Sequence, residues 1–289
     1  MVSEGRRPER LCGAAARGRR FGGGVCGRRS CLKPSLLAVV LLLSAAPALA
    51  NDAVVRSASV SPNRGFTDSV GGVRIEFRIG GSAPADVSIR IAGSGNEVRR
   101  IDLPGVQPDK DQVERWDGLS NAGRPVADGT YRVVIAVSGG SQKEAGKVEL
   151  HRHLFPVRGP HGTRGAVGEF GASRNGGRVH KGFDVTARCE TPLAAATTGT
   201  IVKRAYNPRL DGNYIVIRGL GERRKYWYAH MVHPSPFQKG DLVHVGQIVG
   251  HVGKTGNART VGCHLHFEIH VGGRPVNPEP YLRAWDRYS

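Results

Sequence analysis

Apolar and polar residues alternate with period two along most of this chain, which is the signature of half-buried strands rather than helices. GGVRIEFRI (71–79) and ADVSIRIA (85–92) follow the pattern, and TYRVVIAVSG (130–139) puts Tyr131, Val133, Ile135 and Val137 on one face. Clusters of Gly, Asn, Asp and Ser separate these runs. Around WDGLSNAGRPVADG, Asp117-Gly118 and Ala127-Asp128-Gly129 predict turns, and Trp116 is placed to plug one end of a core. Further along, HKGFDVTA (180–187), TGTIVKRAY (198–206), NYIVIRG (213–219), KYWYAHM (225–231) and CHLHFEIHVGG (263–273) predict closely spaced strands. No helical period persists for three turns. The pattern predicts an all-β chain, a β-sandwich followed by a compact antiparallel β-sheet domain with an open groove.

The first fifty residues break the pattern. A stretch rich in Arg and Gly precedes the apolar run LLAVVLLLSAAPALA, which ends in Ala48-Leu49-Ala50. A basic flank, an apolar run and an A-x-A end predict an export signal over 1–50 with a long basic n-region. The run is too short for a comfortable membrane span, so no stable membrane insertion is expected after cleavage. The chain is therefore expected in the cell envelope or secreted, as a monomer. Its segments are read as 1–50, 51–150 and 151–289. Formal charge is +18 over 289 residues, and residues 1–50 contribute +7 of it. The remaining excess of basic residues is scattered and accompanies no nucleic-acid-binding module, so nucleic acid is not expected as a partner. Three of the five cysteines lie in the first fifty residues; whether the other two, Cys189 and Cys263, pair is left open by the sequence.

Histidine carries the chemistry. All eleven lie at or beyond residue 151, which sets the second domain apart from the first. His180 and Asp184, four apart in HKGFD, can converge from a tight loop or a bent strand. His264 and His266 in CHLHFE point to one side of a strand. Catalytic zinc takes three N or O ligands and keeps one position open. Four candidates for three places leave one histidine for proton transfer, and spacing alone does not say which. No HExxH motif is present to supply a general-base Glu, so proton transfer falls to histidine. Glu268, two residues beyond His266, is placed to hold a ligand ring.

The stretch WDGLSNAGRPVADGTYRV resembles the Ig-like module of flagellar hook-cap proteins, over about eighty residues. The second domain resembles the lysostaphin and LytM type of peptidoglycan-hydrolysing zinc endopeptidases, peptidase family M23. FGASRNGGRVHKGFDVTA, YAHM, GQIVGHVGKTGN and GCHLHFEIHVGGRPVNPEPYL carry that resemblance in order. It implies Zn2+ held by His180, Asp184 and His266, with His230 and His264 acting on substrate and water. It also implies a wall residue at Tyr228 and a polar groove residue at Asn213. Arg174 and Arg178, flanking Gly176-Gly177, are placed to meet substrate carboxylates. His270, like His233, His244 and His251, matches no motif position and is read as surface or packing. The activity implied is hydrolysis of peptidoglycan stem or bridge peptides. The alternative is a non-catalytic or weakly active wall-binding relative, but none of the five metal and proton-transfer residues is missing here.

Overall fold

The computed structural model describes residues 52–289; the expected export signal lies outside the described residues. The first domain holds β1 (Val54–Ser61), β2 (Arg64–Phe66), β3 (Val73–Gly80), β4 (Ala85–Gly93), β5 (Asn96–Val106), β6 (Gln112–Trp116), β7 (Gly129–Val137) and β8 (Gln142–His151). They form a three-stranded sheet, β1-β3-β6, and a five-stranded sheet, β2-β8-β7-β4-β5. The two share one core. Tyr131, Val133, Ile135 and Val137 all point into it, as their alternation predicts, beside Ile75, Ile89, Ile91 and Trp116. Trp116 is buried and satisfies its indole by donating Nε1–H to the Leu119 carbonyl at 2.8 Å. The Tyr131 hydroxyl closes the turn before β7 by donating to the Ala127 carbonyl at 2.6 Å.

The second domain holds β9 (His161–Thr163), β10 (Ser173–Arg174), β11 (Arg178–Val179), β12 (Phe183–Ala187), β13 (Pro192–Ala194), β14 (Gly199–Asn207) and β15 (Gly212–Gly219). After these come β16 (Arg224–Met231), β17 (Leu242–Val243), β18 (Ile248–His251), β19 (His264–Val271), β20 (Arg274–Val276) and one short helix, α1 (Glu279–Asp286). The main sheet runs β17-β14-β15-β16-β19-β12-β9, with β20 beside β19, and all its pairings are antiparallel. Eight residues of helix are too few to show a sustained period, so α1 escapes a reading by pattern.

The two faces of this sheet differ. Phe183, Val185, Ile215, Ile217, Tyr226, Tyr228, Leu265, Phe267 and Ile269 bury one face against the β13–β18 pair and against Leu282 and Trp285 of α1. Fully burying side chains of this size stabilises the fold by roughly 1.5–3 kcal/mol each. The opposite face carries Asp184, Trp227, Ala229, His266 and Glu268. A disulfide joins Cys189 to Cys263 with their Cα atoms 5.3 Å apart. It ties the chain just past β12 to the residue immediately before β19.

Candidate active site

The site stands on register. Asp184 of β12 lies directly opposite His266 of β19, and His266 lies opposite Ala229 of β16. His180 enters from the loop before β12, its backbone N–H donating to the Ala172 carbonyl at 2.8 Å. Gly182 makes the approach possible. A Cβ there would sit 2.5 Å from the Phe267 carbonyl oxygen and 2.7 Å from Cε1 of His266. Only glycine lets the loop lie this close to β19.

Hydrogen bonds fix the tautomers. His180 donates Nδ1–H to the Glu169 carbonyl at 2.8 Å, which leaves Nε2 with a bare lone pair. Glu268 Oε1 lies 2.9 Å from Nε2 of His266 and takes its proton, leaving Nδ1. These two free nitrogens lie 2.8 Å apart, and each is 3.0 Å from Oδ1 of Asp184. Three electron pairs converging on one point repel unless a cation joins them. The ligand atoms of His180, Asp184 and His266 all lie within 4.8 Å of one another. Two imidazoles and a carboxylate are a donor set suited to zinc.

The same crowding moves the pKa values of these groups. Burial opposes charge on His266, but hydrogen bonds to Asp184 and Glu268 outweigh it and push its pKa up to about 9. Burial would raise the Asp184 carboxyl, yet the His180 and His266 rings against it hold it far below the usual range.

His230 and His264 face the same cavity, of about 690 Å³, with ring centroids 4.9 Å apart. His230 donates Nδ1–H to the Thr255 carbonyl and His264 to the Gly262 carbonyl, both at 2.9 Å, so Nε2 is the free nitrogen on each. Burial lowers both pKa values; for His230 the neighbouring His266 and His264 add to it, and the value falls to about 3.

Two expected substrate contacts belong elsewhere. Tyr228 is fully buried in the core, and its hydroxyl accepts the Ala196 N–H at 2.7 Å. Strict alternation puts Tyr228 and His230 on one face of β16. Two irregularities separate them, a register shift between β15 and β16 and a left-handed backbone at His230 (φ 62°). His230 therefore turns to the groove while Tyr228 stays in the core. Asn213 is not a groove residue either. Its Nδ2 donates to the Met231 and Val232 carbonyls at 3.2 Å each, pinning the chain just past the His230 kink. Arg178 does line the cavity.

Three further contacts, with no counterpart among the expectations above, shape the site. Arg164 donates Nη1–H to Oδ2 of Asp184 at 3.0 Å, across twenty residues of chain with no spacing signal. Arg174 approaches the same oxygen at 3.8 Å. His270 bonds Oε2 of Glu268 at 2.5 Å through Nε2, and its ring stacks on Trp227 with centroids 4.1 Å apart. His270 shares the period-two face of His264, His266 and Glu268, so the signal was present.

A β-scaffold whose paired strands converge two histidines and an aspartate on one point, beside two more histidines in an open groove, defines a zinc-metallopeptidase type of domain. Residues 178–278 match Peptidase family M23, and residues 63–141 match the FlgD Ig-like domain. The chain carries an M23-family zinc metallopeptidase domain preceded by an Ig-like domain. It is 30% identical over 162 residues to the L-Ala--D-Glu endopeptidase of Bacillus subtilis, covering 51% of this chain and 48% of that protein. It is 37% identical over 101 residues to the peptidoglycan DD-endopeptidase ShyC of Vibrio cholerae, covering 35% and 22%. Among solved structures, the catalytic domain of lysostaphin from Staphylococcus simulans is 30% identical, with 43% of this chain and 92% of that one covered and a TM-score of 0.36. The chain spans about half or less of the length of these two curated relatives.

Proposed function

We propose that this protein is a zinc endopeptidase of the bacterial cell envelope that hydrolyses peptide cross-links of peptidoglycan. The observation that carries the reading is the convergence of three electron pairs, from His180 Nε2, Asp184 Oδ1 and His266 Nδ1, beside two histidines with free Nε2 atoms. The names of the Bacillus and Vibrio relatives agree with endopeptidase chemistry, and the latter names peptidoglycan. Residues 51–150 serve as an arm and 151–289 as the catalytic domain. No helix among the described residues is long and apolar enough to cross a membrane.

His180, Asp184 and His266 would hold the ion. When bound, zinc supplies a polarised scissile carbonyl and an acidified water. The chain's own residues do the rest. Neutral His230 and His264 present Nε2 to the groove; one accepts the proton of the attacking water, and the resulting imidazolium delivers it to the leaving amine. The positive ring also stabilises the developing oxyanion. Arg164 anchors the second oxygen of Asp184, so that carboxylate keeps its orientation.

Zinc content and peptide release from purified peptidoglycan, measured together on the purified chain and its His266→Ala variant, test the reading. The expected result is near one zinc per chain and new amine ends from the unmutated protein only. Zinc binding without release from any wall preparation would overturn it.

A further inference from the structure

The cations of the groove are unevenly distributed and unevenly paired. Arg164, Arg174, Arg178 and Lys181 all line one wall, the segment that leads into His180 and just past it. Arg164 and Arg174 face Asp184, and Arg174 also donates to the Val167 carbonyl at 2.8 Å. Arg178 makes one bond, Nε–H to the Asn175 carbonyl at 3.2 Å, and its Nη1 and Nη2 groups are left for other partners. Among the described residues neither Arg178 nor Lys181 pairs with a carboxylate, and both are exposed. The turn before Arg178 holds Gly176 and Gly177 at φ 76° and 69°, a left-handed path that glycine takes without strain.

The acids of the groove are already engaged or withdrawn. Asp184 meets Arg164 and the two ligand histidines, and Glu268 is held through both oxygens by His266 and His270. Asp211, which also lines the cavity, is half-buried. Four cations thus face three carboxylates, and a divalent ion adds two further positive charges. A cleft of one sign between protein walls concentrates ligands of the opposite sign. An oligoglycine strand offers the two unpaired cations no side-chain partner. A free carboxylate next to the scissile amide gives the Arg178 fork a two-point acceptor and Lys181 a counter-charge.

We propose that the groove selects peptides bearing a free carboxylate beside the scissile amide, recognised by Arg178 and Lys181. The substrate is then an acidic cross-linked peptide, not a glycine bridge. This rests on the peptidase reading above and specifies the substrate of the same site.

Three internally quenched peptides test it with the zinc-loaded protein. The first carries free carboxylates flanking the scissile amide, the second the same groups as carboxamides, and the third is oligoglycine. The expected result is a kcat/KM for the acid about tenfold or more above its amide, the size of a charge-assisted contact, with oligoglycine poorer still. The Arg178→Gln/Lys181→Gln variant is expected to bring acid and amide within about threefold of each other, and added salt to narrow the unmutated ratio. Equal cleavage of acid and amide by the unmutated protein, or faster cleavage of oligoglycine, overturns the inference and leaves the peptidase reading standing. An acid preference that survives in the double variant overturns the assignment to Arg178 and Lys181. Failure on all three peptides and on purified wall removes the peptidase reading, and this inference with it.

Discussion

Each histidine of the site has one nitrogen committed to an acceptor, and that commitment decides what the other nitrogen can do. Backbone carbonyls hold His180, His230 and His264 through Nδ1, whereas Glu268 holds His266 through Nε2. The nitrogen His266 leaves free is therefore the opposite ring atom from that of His180. Tyr228 shows how much a single hydroxyl's address matters. Its oxygen accepts the buried Ala196 N–H in the core, so Tyr228→Phe is expected to leave kcat on wall peptides within about twofold. The same change should cost about 1–3 kcal/mol of stability by orphaning that amide. Parallel turnover and denaturant-unfolding measurements check it, and a large drop in kcat at unchanged stability would return Tyr228 to the groove.

At the scale of elements, the site is a matter of how β12, β16 and β19 line up. Gly182 sits where β12 leans against β19, and Gly182→Ala is expected to destabilise the domain by about 1–3 kcal/mol and weaken zinc retention. Thermal unfolding with and without a chelator reads both effects; an unchanged midpoint and zinc content would refute the close approach. Much of this level was legible beforehand. Alternation in TYRVVIAV and HLHFE located both cores and put His264 and His266 on one side, because a regular strand obeys period two without exception. It failed at YAH, where the left-handed residue His230 and the adjacent register shift exchange the faces. A backbone irregularity has no hydropathy signal. It failed differently at Arg164, which the fold brings to Asp184 from another segment. His270 was missed for want of a family position, although its spacing placed it.

At the scale of the molecule, polar contacts also join distant segments of the chain on the core side of the main sheet. His153, in the chain between β8 and β9, lies 3.2 Å from Glu222 and 3.0 Å from the Tyr226 hydroxyl, and stacks on Trp285. Burial works against the Glu222 charge, but the bonds from His153 and Tyr226 prevail and its pKa falls below 4.5. Because the folded carboxyl is the stronger acid, its contribution is present above pH 4.5 and is lost as pH falls through the depressed folded value. Glu222→Gln is expected to be less stable than the unmutated chain near neutrality and to lose less on acidification below that point. Unfolding midpoints between pH 3 and 7 check the convergence of the two curves; parallel curves would exclude this role for Glu222.

The Cys189–Cys263 bond closes a ring of chain from 189 to 263. Inside that ring lies His230; outside it, on one arm, lie His180 and Asp184, and on the other His264 and His266. A single proteolytic cut anywhere between 190 and 262 therefore cannot separate the arms. The nicked protein would migrate as one species without reductant and as two with it, and all five side chains would still belong to one covalent molecule.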